Sequence, residues 1–152
     1  MPRKKKASHK GPINKTKVVV DGIQFQSTLE SYMYKLLKDA KVDNLYEQKA
    51  FPLFEKSEYP VECWERFSKR SKQMTDRRGV SKAVFTPDFC DPHENWIIEV
   101  KGRALGDFNL RWKIFKDRMM ERKDPPILFK PTNKEDCQQV LEILLSKGYG
   151  KQ

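Results

Sequence analysis

The sequence predicts one α/β domain, and three observations support this class. Short apolar runs rich in Val, Ile and Phe recur along the chain, as expected of buried strands. Between several of these runs, apolar residues follow the three- and four-residue spacing of helices. The chain has 152 residues and a hydrophobic content of 38%, which suit one domain built around a single core.

Composition predicts the kind of partner and the compartment. A net charge of +10 and a pI near 9.5 predict attraction to a polyanion, with nucleic acid as the first candidate. No apolar run approaches the ~18 residues of a membrane span, and no apolar segment follows the basic N-terminus. Three widely spaced cysteines without a C-x-x-C pair favour reduced thiols. We therefore expect a cytoplasmic protein that binds nucleic acid and no membrane.

Residues 1–17 predict a basic, flexible N-terminal arm, which leaves 18–152 as a single folded domain. The arm contains three consecutive lysines, Lys4, Lys5 and Lys6, and no acidic residue. Such a segment lacks the apolar side chains needed to fold alone. It can add salt-sensitive affinity for phosphates, or it can act as a solubilising tail.

The next predicted elements are two short strands and a helix. Apolar runs at 18–20 and 23–25 flank an Asp-Gly pair, which is typical of a tight β-hairpin turn. Ser27 then begins a helix whose apolar residues at 29, 33, 36, 37 and 40 share one face. Ser27 and Glu30 also have the spacing of a capping box, in which the glutamate bonds back to the helix N-terminus.

The segment 44–54 is predicted to form one strand, with Pro52 weakening its far end. Glu47 and Gln48 lie on opposite faces of such a strand, so one of them borders any site on a neighbouring strand. Gln48 is the candidate, and an ordinary solvent-exposed amide is the alternative.

The segment 55–82 is predicted to be a basic insertion that contacts nucleic acid. It carries aromatic residues among many cations, and part of it, near 61–73, has the spacing of a short amphipathic helix. Cations contact phosphates and aromatic rings stack on exposed bases, so such an insertion can close over DNA. The alternative is a solvated connection whose Trp64 and Phe67 pack on the core. The candidate phosphate contacts of the insertion are Arg66, Lys69, Arg70, Arg77 and Arg78.

A second predicted hairpin, 83–102, carries the chemistry. Its two apolar runs flank the polar segment 90–95, and Asp88 lies near the end of the first strand. Because side chains alternate along a strand, Glu99 and Lys101 point to one face, and antiparallel pairing brings Asp88 towards Glu99. The following Gly102 allows the backbone to approach a ligand closely.

These groups predict a magnesium site, at which we expect Mn²⁺ to substitute. Mg²⁺ prefers hard oxygen ligands, which Asp88, Glu99 and the carbonyl group of Val100 supply. Lys101 can orient a water molecule or stabilise charge on a phosphate under attack. The alternative is a solvated pair of Glu99 and Lys101. The apolar run 96–100 favours the site, because it indicates a buried central strand on which two charges are unexpected.

The remaining chain predicts two helices separated by a strand. The helix at 109–122 precedes a Pro-Pro pair, an apolar strand follows at 127–129, and the last helix occupies 133–147 with Gly148 past its end. The core-facing residues predicted for the first of these helices are Leu110, Ile114, Phe115 and Met119.

The second hairpin also carries a family resemblance. In order it contains Thr86-Pro87-Asp88-Phe89, a spacer of ten residues after Asp88, and Glu99-Val100-Lys101-Gly102. This pattern resembles the motif of the PD-(D/E)xK nuclease superfamily, which also places a glutamate on its first helix, as Glu30 is placed here. Within the superfamily, the chain is most similar to small phage-encoded nucleases that resemble Holliday-junction resolvases, whose I-x-F-x-S-x-x-E pattern matches 23–30. The resemblance covers roughly 17–129 and lapses between 54 and 82.

The resemblance implies a restriction-endonuclease-like core, in which helices flank a central mixed β-sheet and the basic insertion precedes the catalytic hairpin. It favours a role for Glu30 in the site over capping alone. A helix follows the E-x-K strand in this superfamily, so its basic residues are candidates for phosphate contacts, with a solvated face as the alternative. Those candidates are Arg103, Arg111 and Lys113. The residues that the resemblance assigns to catalysis are Glu30, Asp88, Glu99 and Lys101. With the Val100 carbonyl group predicted above, the residues predicted to hold the metal are Asp88, Glu99, Val100 and Glu30.

The implied activity is magnesium-dependent hydrolysis of phosphodiester bonds by a DNA endonuclease. The implied substrate is branched DNA, as for a Holliday-junction resolvase, and two coordinated cuts imply a homodimer. Two alternatives stay open: a general or structure-selective DNA nuclease of phage genome processing, and a non-catalytic DNA-binding module with a nuclease fold.

Overall fold

The structure, a computed structural model, describes residues 17–151. The N-terminal arm with Lys4, Lys5 and Lys6 therefore lies almost entirely outside the described residues. The elements in chain order are β1 (Val18–Val20), β2 (Ile23–Phe25), α1 (Thr28–Asp39), β3 (Leu45–Tyr46), β4 (Phe51–Phe54), β5 (Ser57–Glu58), β6 (Trp64–Glu65), β7 (Thr75–Asp76), β8 (Gly79–Val80), β9 (Ala83–Phe85), β10 (Phe89–Cys90), β11 (Trp96–Ile98), α2 (Phe108–Met120), β12 (Ile127–Phe129) and α3 (Lys134–Ser146).

A mixed four-stranded sheet forms the centre, in the order β12-β11-β10-β3. β11 runs parallel to β12, whereas β10 runs antiparallel to both of its neighbours. The predicted second hairpin is confirmed between β10 and β11, where Phe89 pairs with Ile98 across the loop 91–95. The mixed sheet and the helices confirm the α/β class.

Each face of this sheet has its own hydrophobic core. Trp96 and Ile98 of β11 pack with residues of α1 and α3, among them Met33 and Leu144. Ile97, between them in sequence, packs on the opposite face with α2, β4 and β9. The alternation of side chains along β11 produces the two layers, because each successive residue points to the other face.

Local sequence signals explain the ends of several elements. Asp21 and Gly22 have φ values of 52° and 76°, so the predicted turn between β1 and β2 is confirmed as a left-handed turn that suits an Asp-Gly pair. The side chains of Ser27 and Asn133 accept main-chain hydrogen bonds at the N-termini of α1 and α3. Gly148, with φ of 89°, follows the end of α3 as predicted.

Two predicted strands are wrong as continuous elements. The segment 44–54 divides into β3, which joins the central sheet, and β4, which pairs with β9. The segment 83–89 likewise divides at 86–88 into β9 and β10, which belong to different sheets. Pro87 lies in this second break, where its missing N–H cannot join a ladder. Both breaks fall beside the candidate site.

One core residue of α2 was wrongly predicted. Leu110 is 62% exposed, whereas Trp112 is buried and contacts Phe85 and Phe115. The helix begins one residue earlier than predicted, at Phe108, which is also buried. The apolar face of α2 is therefore built from the aromatic residues Phe108, Trp112 and Phe115 together with Met119.

Residues 51–85 form one long hairpin, here called the hairpin arm. Its strand pairs are nested from root to tip: β4 with β9, then β5 with β8, then β6 with β7. The amphipathic helix predicted near 61–73 is therefore wrong. The alternative in which Trp64 and Phe67 pack on the core is also wrong, because they are 56% and 72% exposed.

No helix within 17–151 has both the length and the apolar composition that crossing a bilayer requires.

Candidate active site

Main-chain N–H groups hold the carboxylates of Asp88 and Glu99 next to each other. The N–H of Val100 donates to Oδ2 of Asp88 at 2.7 Å, and the N–H of Asp88 donates to Oε2 of Glu99 at 3.3 Å. The N–H groups of Glu99 and Lys101 instead donate to Phe129 and Pro131, which extends the pairing beyond β11 and β12. This alternation leaves the Val100 N–H free to meet Asp88. The structure therefore brings Asp88 and Glu99 together at the end of β11, as the hairpin predicts.

Both carboxyl groups are buried beside other acidic side chains. Asp88 and Glu99 are 8% and 7% exposed. Burial, followed by repulsion from Glu99 and Glu30, raises the pKa of Asp88 to about 9. Burial also raises the pKa of Glu99, to about 7, although the nearby Lys101 ammonium opposes this rise. Two acids that repel each other titrate as a pair and keep a proton to unusually high pH. Ionisation of both carboxyl groups is therefore unfavourable unless a cation binds beside them.

Glu30 reaches the same place from the first turn of α1. It is 7% exposed, and its main-chain N–H donates to the Ser27 hydroxyl oxygen at 3.1 Å. Its carboxylate accepts hydrogen bonds from the Gln26 N–H, the Ser27 hydroxyl and the Tyr46 hydroxyl, at 3.2, 3.2 and 3.0 Å. Ser27 thus caps the helix while Glu30 also faces the centre of the site. Capping and a role in the site are compatible in this arrangement.

Glu47, and not Gln48, completes the cluster. β3 does neighbour β10, but the chain turns sharply at Glu47, whose φ is 48° and whose N–H donates to the Asp88 carbonyl oxygen at 2.9 Å. One carboxylate oxygen each from Glu30, Glu47 and Asp88 lie within 4.8 Å of one another. Gln48 is directed to a different cavity, lined among others by Tyr34 and Lys38. The prediction of Gln48 was wrong because it assumed regular alternation along a continuous strand.

The cluster fits the oxygen chemistry of Mg²⁺. Oxygen atoms that share one Mg²⁺ at about 2.1 Å lie at most about 4.2 Å apart, so the oxygens of Glu30, Glu47 and Asp88, which lie within 4.8 Å of one another, need only small side-chain rotations to share an ion. Three carboxylates of the cluster are buried, and Asp88 and Glu99 are disfavoured as anions without a cation. Val100 lines the cavity beside Glu30 and directs its N–H to Asp88. The residues whose oxygens lie close enough to share one divalent cation are Glu30, Glu47 and Asp88. Glu99 is outside that group of three and lies beside it, where it accepts the Asp88 N–H.

Lys101 lies between two cavities that open onto the cluster. Its Nζ is 4.5 Å from the centre of the Phe108 ring, a cation–π contact that holds the half-buried side chain. One cavity, of about 370 Å³, is lined by Glu30, Val100, Lys101 and Gly102 together with neighbouring residues. The other, of about 380 Å³, is lined by Glu99, Lys101 and residues of β9 and α2. A phosphate in either cavity would meet the Lys101 ammonium.

Comparison with known proteins gives a family but no described activity. Residues 10–130 match a family described as Protein of unknown function (DUF1064). The chain belongs to the DUF1064 family. Neither the curated proteins nor the solved structures gave a match. The part of this DUF1064 chain that matches includes the whole acidic cluster and Lys101.

The three basic residues predicted to contact phosphates near the acidic cluster of this DUF1064 chain differ in exposure and in contacts. Arg103 is exposed and lines the cavity beside Lys101. Arg111 is half-buried in the other cavity and donates a hydrogen bond to the Val84 carbonyl oxygen, which fixes its guanidinium group at the root of the hairpin arm. Lys113 is exposed on α2. Arg103 and Arg111 therefore border the cluster directly.

The predicted contacts in the hairpin arm lie towards its tip. Arg66, Lys69 and Arg70 are exposed there, and Arg77 lies over the Phe67 ring at 4.7 Å. Arg77 and Arg78 both have a carboxylate partner in the arm: Arg77 lies 4.0 Å from Glu65, and Arg78 forms a shorter ion pair of 2.8 Å with Asp76. The charge of Arg78 is therefore the more closely balanced of the two.

Proposed function

We propose that this protein is a magnesium-dependent DNA endonuclease that hydrolyses phosphodiester bonds in branched DNA. The observation that carries the proposal is the acidic group of Glu30, Glu47 and Asp88, with Glu99 bonded to the Asp88 N–H and the Lys101 ammonium in the same cavity as Glu99. None of these four carboxylates forms a salt bridge with a cation of the described residues, 17–151. Such a group at the end of a buried strand fits a cation that the protein acquires from solution.

Asp88 and Glu99 would hold the cation, with Glu30 and Glu47 completing the oxygen ligands. A bound Mg²⁺ supplies Lewis-acid polarisation of the scissile phosphate and lowers the pKa of a coordinated water molecule. The Val100 N–H keeps Asp88 oriented, and the Tyr46 hydroxyl keeps Glu30 oriented. Because these donors are fixed before substrate binds, the carboxylates need little rearrangement.

Lys101 is the group of this chain that would contact the reacting phosphate. Its ammonium can donate to a non-bridging oxygen or to the attacking water molecule as negative charge develops. The contact with Phe108 limits where the ammonium can move. Arg103 and Arg111 line the cavities on its two sides and would position the phosphates that flank the cut.

DNA is supported as the substrate by charge and by resemblance. The net charge of +10 favours a polyanion. The order of Glu30, Asp88, Glu99 and Lys101 resembles the PD-(D/E)xK superfamily, and from this we propose a restriction-endonuclease-like core. The similarity to resolvase-like phage nucleases supports a branched substrate and a homodimer that makes paired cuts.

The experiment compares cleavage of a four-way junction, a nicked duplex, a plain duplex and single-stranded DNA, with Mg²⁺, with Mn²⁺ and with EDTA. We expect metal-dependent cleavage by the wild-type protein and at least about a 100-fold loss in Asp88→Asn and Lys101→Ala. Lys35→Ala, which removes an exposed lysine of α1, is the matched control and should cleave normally. Sedimentation of the protein alone and with a junction measures the oligomeric state.

The pattern of products separates the candidate activities. Paired symmetrical nicks on the junction support a resolvase, whereas cuts on every DNA support a general nuclease. Metal-dependent cleavage that persists undiminished in Asp88→Asn would remove the proposed site. Binding of DNA without cleavage under any metal condition would leave a non-catalytic module.

A further inference from the structure

The exposed aromatic side chains of this protein are concentrated in the hairpin arm. Among residues 17–151, all the aromatic residues classed as exposed belong to it, and they are Phe54, Tyr59, Trp64 and Phe67. The most exposed is Phe67, at 72%. Elsewhere in the described chain the aromatic rings are buried or half-buried. A soluble domain rarely gathers such side chains on one projection unless they contact a partner.

Charge is distributed unevenly along the arm. Residues 55–65, on the outgoing side of the arm up to β6, contain four glutamates and one lysine. The loop 66–74, which joins β6 to β7 at the tip, contains four cations and no carboxylate. Lys69, Arg70 and Lys72 are exposed and pair with no carboxylate of the described chain. The tip therefore combines open cations with open aromatic rings, which suits a partner that is both anionic and aromatic.

Hydrogen bonds order the tip before any partner binds. The Ser71 N–H donates to the Ser68 carbonyl oxygen, and the Ser68 N–H donates to the Ser71 hydroxyl oxygen, each at 3.1 Å. Arg66 donates to the Ser71 carbonyl oxygen at 2.8 Å. Arg77 lies over the Phe67 ring at 4.7 Å, and the 72% exposure of Phe67 leaves ring surface available. A tip that is already folded loses less conformational entropy on binding.

The arm is continuous with the candidate active site. Val84 and Phe85, at its root, line the cavity that contains Glu99 and Lys101. Main-chain hydrogen bonds connect the two strands of the arm from root to tip, including Tyr59 to Arg78 at 2.8 Å and Arg77 to Cys63 at 2.7 Å. From Phe85 to Arg70 the chain can extend at most about 50 Å. One bound strand could therefore contact both the arm and the site.

We propose that the tip of the hairpin arm binds single-stranded DNA by stacking unpaired bases on Phe67 and Trp64. Lys69, Arg70 and Lys72 contact the phosphates of the same strand. The inference deepens the proposed function, on which it rests for the identity of the polyanion as DNA. It specifies the substrate class: a branched DNA with a single-stranded segment beside the duplex that is cut.

Stacking favours a single strand over a duplex as the occupant. Cations alone are enough to bind the phosphates of a duplex, and rings without charge would fit an apolar protein surface. The tip has both groups close in sequence, with Arg66, Phe67, Lys69 and Arg70 in the loop between β6 and β7. In duplex DNA the faces of the bases are already stacked, so only unpaired bases can cover an exposed ring.

The test measures binding in EDTA, so that cleavage plays no part. The probes are a labelled oligo-dT of about 20 nucleotides and a duplex of the same length, each followed by fluorescence anisotropy over a salt series. We expect Phe67→Ala to weaken single-strand binding about 10-fold, as for one lost stacked base, without changing the salt slope or duplex binding. Leu110→Ala, which removes an exposed apolar side chain of α2, is the matched control and should bind normally.

Two further readouts separate stacking from charge. The double variant Lys69→Ala/Arg70→Ala should weaken binding to both probes and reduce the salt slope by about 2. Trp64 is 56% exposed, whereas Trp96 and Trp112 are buried, so oligo-dT should quench tryptophan fluorescence in the wild-type protein and not in Trp64→Phe. All of these side chains are exposed, and unchanged circular dichroism verifies that the variants are folded.

Three results would overturn the inference. Phe67→Ala and Trp64→Ala could bind oligo-dT as tightly as wild type, or they could lose duplex binding to the same extent. Alternatively, Phe67→Ala could dissociate a dimer in sedimentation while single-strand binding stays intact, which would assign the tip to self-association. The proposed function is tested separately. Phe67-dependent binding with no cleavage of any DNA would support the inference and refute the nuclease activity. Metal-dependent cleavage without Phe67-dependent binding would refute only the inference.

Discussion

The hydroxyl group of Tyr46 donates a hydrogen bond of 3.0 Å to Oε2 of Glu30, across 16 positions of the chain. The Tyr46 ring packs at 4.7 Å from Phe25 and 5.3 Å from Phe89, measured between ring centres. Burial and the Glu30 carboxylate raise the pKa of Tyr46, so its hydroxyl stays protonated and continues to donate. A residue of the central sheet therefore fixes the orientation of the helix carboxylate.

Tyr46→Phe should lower the apparent affinity for Mg²⁺ without unfolding the protein. Loss of the hydrogen bond frees the Glu30 carboxylate, and we expect the Mg²⁺ concentration for half-maximal cleavage to rise about 10-fold. The phenylalanine ring keeps the aromatic packing, so the melting temperature should change little. Tyr34→Phe is the matched control, because its hydroxyl bonds to the exposed Asp21 and its ring also packs on Phe25. Wild-type Mg²⁺ dependence in Tyr46→Phe would contradict this role.

Glu47→Gln should have a larger effect on metal affinity than any change at Gln48. The substitution removes one anionic oxygen from the group that Glu47 forms with Glu30 and Asp88. We expect about a 10-fold weaker response to Mg²⁺, measured as cleavage or as thermal stabilisation by the ion. Gln48→Ala, next in sequence but directed elsewhere, should match wild type. Equal responses of the two variants would place Glu47 outside the ligand set.

The metal-free protein should lose stability as the pH rises. The pKa of Asp88 is raised from 3.8 to about 9 on folding, so the folded chain keeps a proton that the unfolded chain releases. This contribution to stability is fully present below pH 3.8 and is lost as the pH rises towards 9. In EDTA, the melting temperature of the wild-type protein should therefore fall between about pH 6 and about pH 9.

Asp88→Asn should flatten this pH dependence, because the amide has no proton to lose. In EDTA at about pH 8.5, we expect the variant to melt at a higher temperature than wild type. Added Mg²⁺ should stabilise the wild-type protein and leave the variant unchanged. Asp39→Asn, at an exposed position of α1, serves as the control. A wild-type melting temperature that rises with pH in EDTA would refute the buried acidic pair.

Phe108→Leu should leave Lys101 in place but make the position of its ammonium group less restricted. The ring lies 4.5 Å from Nζ, and leucine keeps much of the buried volume while losing the cation–π attraction. We expect kcat to fall about 10-fold with KM nearly unchanged, since the ammonium would be less well placed at the reacting phosphate. Leu110→Ala on the same helix is the control. A rise in KM alone would instead indicate that Phe108 supports substrate binding.

Much of the fold follows from local signals in the sequence. The turn at Asp21 and Gly22, the helix start at Ser27 and the stop at Gly148 each depend on residues close in sequence, and each was predicted. The hairpin between β10 and β11 was also predictable, because its apolar runs flank one polar loop. The ends of elements and the pairing of adjacent strands need little information from the rest of the chain.

Glu47 shows why part of the site was not predictable. Its place depends on a left-handed turn that ends β3, and the 44–54 pattern gave no sign of this turn beyond Pro52. The break at 86–88 is similar, since Pro87 interrupts a run that otherwise resembles one strand. In both segments the sheet that each half joins depends on distant partners.

By itself, the sequence determined the three helices at 28–39, 108–120 and 134–146, the hairpin beside Asp88, Glu99 and Lys101, and the excess of positive charge. Only the tertiary structure decided that Glu47 joins Glu30 and that 51–85 projects as an arm with exposed rings. The physical reason is the range of the interactions. Helix caps, turns and the alternation of strand side chains depend on residues a few positions apart. The meeting of Glu47 with Glu30 and the exposure of the rings in the arm depend on how distant helices and strands pack together.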